Sequence, residues 1–163
     1  AHRTCNAGVT GSSPVVGSEA ELENAVEFNF LAWALSAVAG IAIGAVWFGP
    51  KTFFPVWWKF MGRTPEDQPG TANTGVVFGL TFLGAFVQAA VLQVVINLAQ
   101  AANGDLNWFG GLATGALMGV GFAAATVLSH KLFGGFSLKV WVLEVGQDIV
   151  SLAAMGAVIA SLI

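Results

Sequence analysis

The sequence predicts an all-α integral membrane protein: an antiparallel four-helix bundle with a short interfacial segment between helices one and two. Three observations carry this. Hydrophobic residues make up 56% of the 163 residues and charged residues only 9%, against roughly 25% charged in a soluble domain. A water-soluble fold of this size needs a charged surface, and this chain lacks the residues to build one. The apolar residues also fall into four long runs, and 21 glycines and six tryptophans accompany them with no tyrosine. Glycine within apolar helices and tryptophan near their ends is membrane usage.

The first span is predicted from Phe28 to Phe48. At about 1.5 Å per residue it reaches roughly 30 Å, the thickness of a hydrocarbon core. Ala37-Val38-Ala39 has the form of a signal-peptide cleavage site. That reading fails because Glu19, Glu21, Glu23 and Glu27 stand where basic residues belong, and the run stays apolar past the site. Pro50 and Pro55 then stop the helix. Phe53, Phe54, Trp57, Trp58, Lys59, Phe60 and Met61 mix bulky aromatics with a cation, which predicts a segment lying at headgroup level. Thr64-Pro65-Glu66-Asp67 has the form of a helix start, with Thr64 as cap and Asp67 closing a capping box. Pro69-Gly70 ends any such turn.

The second span is expected over Gly75 to Leu98, the third over Trp108 to Leu128 and the fourth over Val140 to Ile163. Short connections between them make antiparallel packing the default. Lys51, Lys59 and Arg63 lie between spans one and two, and Lys131 and Lys139 between spans three and four. The opposite side has only Arg3, far from any span. The positive-inside rule then places both basic loops in the cytoplasm and both termini outside a prokaryotic inner membrane.

Residues 1–25 form a separate region with glycine, serine and acidic residues but no apolar periodicity, which predicts a disordered tail before a transmembrane domain at 26–163. A second reading of this tail is a misassigned start. Gly11-Ser12-Ser13-Pro14-Val15 can be encoded by GGT TCG AGT CCC GTC, the form of a transfer-RNA T-arm translated as protein, with Val26 as the true start. No function is expected from the tail on either reading.

Glycines recur four apart at Gly40 and Gly44, at Gly75 and Gly79, and at Gly111, Gly115 and Gly119, with Gly156 and Ala160 continuing the pattern. Lipid offers no hydrophobic drive between helices, so close approach over small residues is the expected role. A pore-lining face is the alternative.

Glu144, Gln147, Asp148 and Ser151 open the fourth span, with Glu144 and Asp148 on one face. If the span began after Asp148, only about 22 Å of helix would remain to Ile163, too short to cross. Asp148 is therefore expected inside the inner leaflet, where a charge costs roughly 2.5–3.5 kcal/mol. The third span ends near His130 and Lys131 at the same level, so His130, Glu144, Gln147 and Asp148 form a candidate polar cluster. A lock between spans three and four is its ordinary use. A proton or cation relay is the sharper one, and a histidine with two carboxylates could also bind a metal, although no motif fixes such a geometry. No cofactor or resident metal is predicted. Gln88, Gln93 and Asn97 are expected to hydrogen-bond between helices.

No nucleophile elbow, phosphate loop or zinc-protease motif occurs, and no catalytic residue is assigned. An enzyme is not expected. Single Cys5 excludes an internal disulfide, and the lack of a basic patch argues against a nucleic-acid partner. The expected partners are membrane lipid, a second copy or another membrane protein. An interaction or accessory protein is the first functional reading, and a small oligomeric transporter or channel with a proton or cation site in the fourth span is the alternative.

Two stretches together resemble a known family. Gly44-Ala45-Val46-Trp47-Phe48-Gly49-Pro50 with Phe54, Trp57-Trp58-Lys59 and Met61-Gly62 is similar to its first motif. Gly121-Phe122-Ala123, Leu132-Phe133, Ser137-Leu138-Lys139, Gly146 and Met155-Gly156-Ala157 are similar to its second half. The family comprises small prokaryotic membrane proteins catalogued as domain of unknown function 1761. The resemblance covers residues 28–163 and implies four spans without an assigned activity. Glu144 and Asp148 depart from the family pattern of the fourth span.

Overall fold

A computed structural model describes residues 27–67 and 73–163. It contains five helices and, among the described residues, no strand. They are α1 (Phe30–Trp47), α2 (Phe54–Phe60), α3 (Thr74–Asn103), α4 (Trp108–Phe133) and α5 (Leu138–Ala160). All but α2 are long and apolar enough to cross a membrane. The predicted tail at residues 1–25 lies outside the described residues.

The helix ends have local causes. Asn29 caps α1 by accepting from the Leu31 and Ala32 N–H groups, and Asn73 caps α3 through the Gly75 and Val76 N–H groups. At the other end of α1 the Thr52 hydroxyl reaches back to the carbonyls of Val46, Trp47 and Gly49. It satisfies acceptors that the helix itself leaves open. The first apolar run therefore ends where expected, but the second does not. Helix α3 continues past Leu98 to Asn103, because Ala99-Gln100-Ala101-Ala102 are good helix formers even though they are less apolar. Gly104, at φ 83°, stops it. Helix α4 likewise runs beyond Leu128 to Phe133 and is widened into a π-helical segment at Gly119–Ala124. The Trp141 indole donates to the Ala124 carbonyl there at 3.1 Å, supplying a donor where the ladder has changed register.

Thr64-Pro65-Glu66-Asp67 forms a turn rather than the expected helix start. The capping-box contact is nevertheless present, since Asp67 accepts from the Thr64 N–H at 2.7 Å. That hydrogen bond holds the Asp67 carboxyl below the usual aspartate range.

Helix α5 packs against each of the other four. Its closest neighbour is α4. A methyl group placed on Gly111 would run into the backbone of Gly156, and one on Gly115 into the backbone of Leu152. On Gly119 it would lie 2.8 Å from the Ile149 Cα. Helix α1 meets α5 over Gly40, where an added Cβ would sit 2.8 Å from the Met155 sulfur. Ala37, Ala89, Leu92, Ile96, Met155 and Ile159 fill the core among α1, α3 and α5. Gly75 and Gly79 do not follow this pattern. No atom lies within 4 Å of a Cβ built on Gly79, and every residue from Asn73 to Gly84 is exposed.

The two ends of the bundle are tied differently. At one end the Lys139 ammonium lies 5.2 Å from the Phe60 ring centroid, joining the first turn of α5 to α2. At the other, Asn29 donates to the Leu162 carbonyl at 3.1 Å and Asn97 to the Glu27 carbonyl at 2.9 Å. Alternate connections thus share an end, as an antiparallel bundle requires.

If backbone contact across Gly115 holds α4 to α5, Gly115→Leu should cost about 3 kcal/mol or more, the upper range of overpacking penalties. Leu117→Ala, at a site 70% exposed, should cost less than about 0.5 kcal/mol. Reversible denaturation in mixed micelles, followed by helical circular dichroism, measures both. Equal losses in the two variants would show that the approach is not what holds the pair.

Candidate functional site at the start of the fourth span

Ser137 precedes α5 after a tight connection in which Gly135 takes φ 77°. This hairpin brings the last turns of α4 beside the first turns of α5. Counting outward from it, Lys131 and Glu144 meet. The Lys131 Nζ lies 2.7 Å from one carboxylate oxygen of Glu144 and 2.9 Å from the other. The Trp57 indole of α2 donates to the same carboxylate at 3.0 Å. Both charged side chains are about a fifth exposed, at 23% and 20%. Glu144 therefore joins three helices through charge-assisted hydrogen bonds.

Lys131 takes the place that sequence reasoning gave to His130. His130 is exposed and makes no hydrogen bond or ion pair with Glu144 or Asp148. One residue along a helix is a rotation of about 100°, so the neighbour of a contact residue points elsewhere. Lys131 was visible in the sequence, where its charge counted only toward orientation.

Gln147 turns away from the carboxylates. Its amide donates to the Ser151 hydroxyl at 2.8 Å, and that hydroxyl faces the Gly40 carbonyl of α1 at 3.5 Å. Gln147 also lies against Gly44, where an added Cβ would stand 3.4 Å from its nitrogen. Asp148, one turn beyond Glu144, is half-buried and has no hydrogen-bond or ion-pair partner among the described residues. No group of three histidine, cysteine or acidic side chains among the described residues could hold a metal. The four candidates thus divide into a lock at Glu144, a polar bridge to α1 at Gln147, a lone carboxylate at Asp148 and an outlying His130.

Further tryptophans brace this end. The Trp47 indole donates to the Leu143 carbonyl at 3.0 Å, and its ring lies over Gly146. A Cβ on Gly146 would be 3.2 Å from that ring. Residues from the two sequence stretches noted above, far apart in the chain, therefore touch where Trp47 meets Gly146. The model of the family described as "Protein of unknown function (DUF1761)" matches residues 31–160. The chain belongs to the DUF1761 family. Among curated proteins and among solved structures, none matches it. Family membership and the four apolar helices describe this DUF1761 chain as a multi-pass membrane protein.

The remaining polar residues of the DUF1761 bundle lie at its far end. Gln93 is fully buried on α3, and its amide, turned so that the nitrogen faces the Asn29 carbonyl, donates to that oxygen at 3.1 Å and accepts from the Asn29 N–H. With Asn97 on the Glu27 carbonyl, both side chains bind the segment entering α1. Gln88 does not share this role; it is exposed.

Replacing Lys131 by Met leaves the Glu144 carboxylate in place with only the Trp57 N–H, and should destabilise the fold by about 1–3 kcal/mol. Adding Glu144→Leu should restore most of the loss, because the uncompensated charge is then removed. Chemical denaturation of the two variants and the wild type measures this. A double variant no more stable than Lys131→Met would rule out the pair as the source.

Proposed function

We propose that this protein is a non-enzymatic accessory subunit of a prokaryotic inner membrane, which packs against another membrane protein through the free half of α3. Orientation follows the positive-inside rule. The connections around α2 and between α4 and α5, with Lys51, Lys59, Arg63, Lys131 and Lys139, face the cytoplasm, and both termini face outward. Membrane lipid and a protein subunit are the partners; nucleic acid is not.

The exposure of α3 carries this reading. A span normally hides its small and polar positions inside a bundle, yet here the stretch from Asn73 to Gly84 has no buried residue. Gly79 and Gly84 face open space. Gln88, close to the middle of the 30-residue helix, is exposed as well. A carboxamide facing lipid tails has lost its water partners without replacing them. A neighbouring helix that sits close over the glycines and hydrogen-bonds Gln88 would remove that cost.

Affinity isolation from native membranes in a gentle detergent tests the proposal. The wild type should bring down a stoichiometric membrane protein. Gly79→Leu and Gln88→Leu should each lower its recovery about tenfold while leaving the melting temperature within a few degrees. Recovery of monomer alone from native membranes would count decisively against it.

A second reading rests on Asp148. An unpartnered, half-buried carboxylate within a span is the kind of group that carries protons or cations. If this is its role, proton or cation flux into liposomes should fall at least about tenfold in Asp148→Asn. Glu144→Gln should lower it less, since that carboxylate is occupied by Lys131. Unchanged flux in both variants excludes the transport reading.

A further inference from the structure

The end of α1 forms a concave apolar site that none of the foregoing roles uses. Its walls are Ala42, Ile43, Val46 and Trp47 of α1, Phe53 of the following turn and Val150 of α5. The volume is about 390 Å³, within the roughly 300–1,000 Å³ range of small-molecule sites.

The site is built by specific contacts. The Phe53 N–H donates to the Trp47 carbonyl at 3.0 Å, folding the chain back on the helix end. The Phe53 and Trp47 rings meet with centroids 4.7 Å apart. Trp47 is fixed from behind by its indole bond to Leu143. The polar atoms of the wall are therefore already engaged: the Trp47 N–H by Leu143, and the Thr52 hydroxyl by the carbonyls at the end of α1. An occupant finds no polar group to bind inside the groove. The surfaces it does find are apolar and open, with Val46 68%, Val150 43% and Phe53 41% exposed.

A cation adjoins the lining in the chain. Lys51 is exposed and directly precedes Thr52. The other cations near this end are mostly engaged: Lys131 by Glu144, Arg63 over the Trp58 ring and Lys139 over the Phe60 ring. Lys51 and Lys59 have no such partner among the described residues. Helix α2, with Phe54 stacked on Trp58, follows immediately and has the aromatic and basic character of a segment at headgroup depth. An apolar slot with an exposed cation next to its lining in the chain, at that depth, matches a molecule with a hydrocarbon chain and an anionic head. A docked helix fits less well, because helix-in-groove binding uses anchors across two turns. The part of α1 lining this groove, Ala42 to Trp47, falls short of two turns.

We propose that the groove binds one acyl chain of an anionic phospholipid, with Lys51 holding the phosphate-bearing headgroup. The assignment is independent of what α3 binds, since it uses α1, the following turn and α5.

Native mass spectrometry of the whole protein tests it, after exchange into a mild detergent with equal amounts of phosphatidylglycerol and phosphatidylcholine of identical chains. The wild type should retain one phosphatidylglycerol in preference to phosphatidylcholine by about fivefold, the effect of one surface cation. Lys51→Gln should remove the preference but keep a bound lipid. Ala42→Phe, a change at an exposed wall position, should reduce retention of both lipids with the melting temperature unchanged. Equal retention of the two lipids by the wild type would overturn the headgroup assignment, and full retention in Ala42→Phe would overturn the groove itself. Should Ala42→Phe prove unstable, Val150→Trp fills the same space from α5 and is read in the same way.

Discussion

In a bilayer an apolar side chain gains nothing by leaving lipid for another side chain, so what holds two spans together is close contact and hydrogen bonding. Everything else in this bundle depends on one such contact, the approach of α4 to α5 over Gly111, Gly115 and Gly156. Here the backbone of one helix lies against the backbone of the other. That approach leaves no room for a Cβ, and it fixes α5 as the axis on which α1 and α3 can also pack. Ala37, Met155 and Ile159 then complete a core of modest side chains, consistent with packing by shape rather than by expulsion of water.

The same constraint explains which part of the fold could be read from the sequence. Length and hydropathy fix the spans because the bilayer core has a set thickness. They do not fix helix ends, since helix formation and apolarity are different properties. Ala99 to Asn103 continue α3 on backbone propensity alone. Glycine spacing marked Gly111, Gly115 and Gly156, which form the α4–α5 seam, but among the described residues no helix packs over the same spacing at Gly75 and Gly79. Spacing shows that a helix can be approached closely and is silent about what approaches it.

The candidate site was legible to a similar depth. The cost of a lone charge in a span predicts a partner for Asp148, yet among the described residues it is Glu144, one turn earlier, that has one. Which partner it takes depends on the rotation of α4, shifted by the π-helical segment at Gly119–Ala124. An inserted residue in a helix rotates all that follows by about 100°, enough to exchange His130 for Lys131. No signal in the local sequence marked that segment as widened; the run of small residues there permits it without requiring it.

The two ends of the molecule use different chemistry, and this bears on where its function lies. Around Asn29 the polar groups are side-chain amides bound to backbone carbonyls and N–H groups, neutral contacts that hold α1, α3 and α5 together. Around Glu144 the contacts are charged and aromatic, and they tie α5 to α2 and α4 while leaving the first half of α3 exposed. Asp148, the groove beside Trp47 and the open glycines of α3 all occur toward this second end. Among the described residues the bundle is closed by neutral hydrogen bonds at one end and braced by a single ion pair at the other. The division places neutral contacts to backbone groups near Asn29 and charged and aromatic contacts near Glu144. Helix α5 joins the two because its later turns carry Met155 and Gly156 and its early turns carry Glu144 and Asp148.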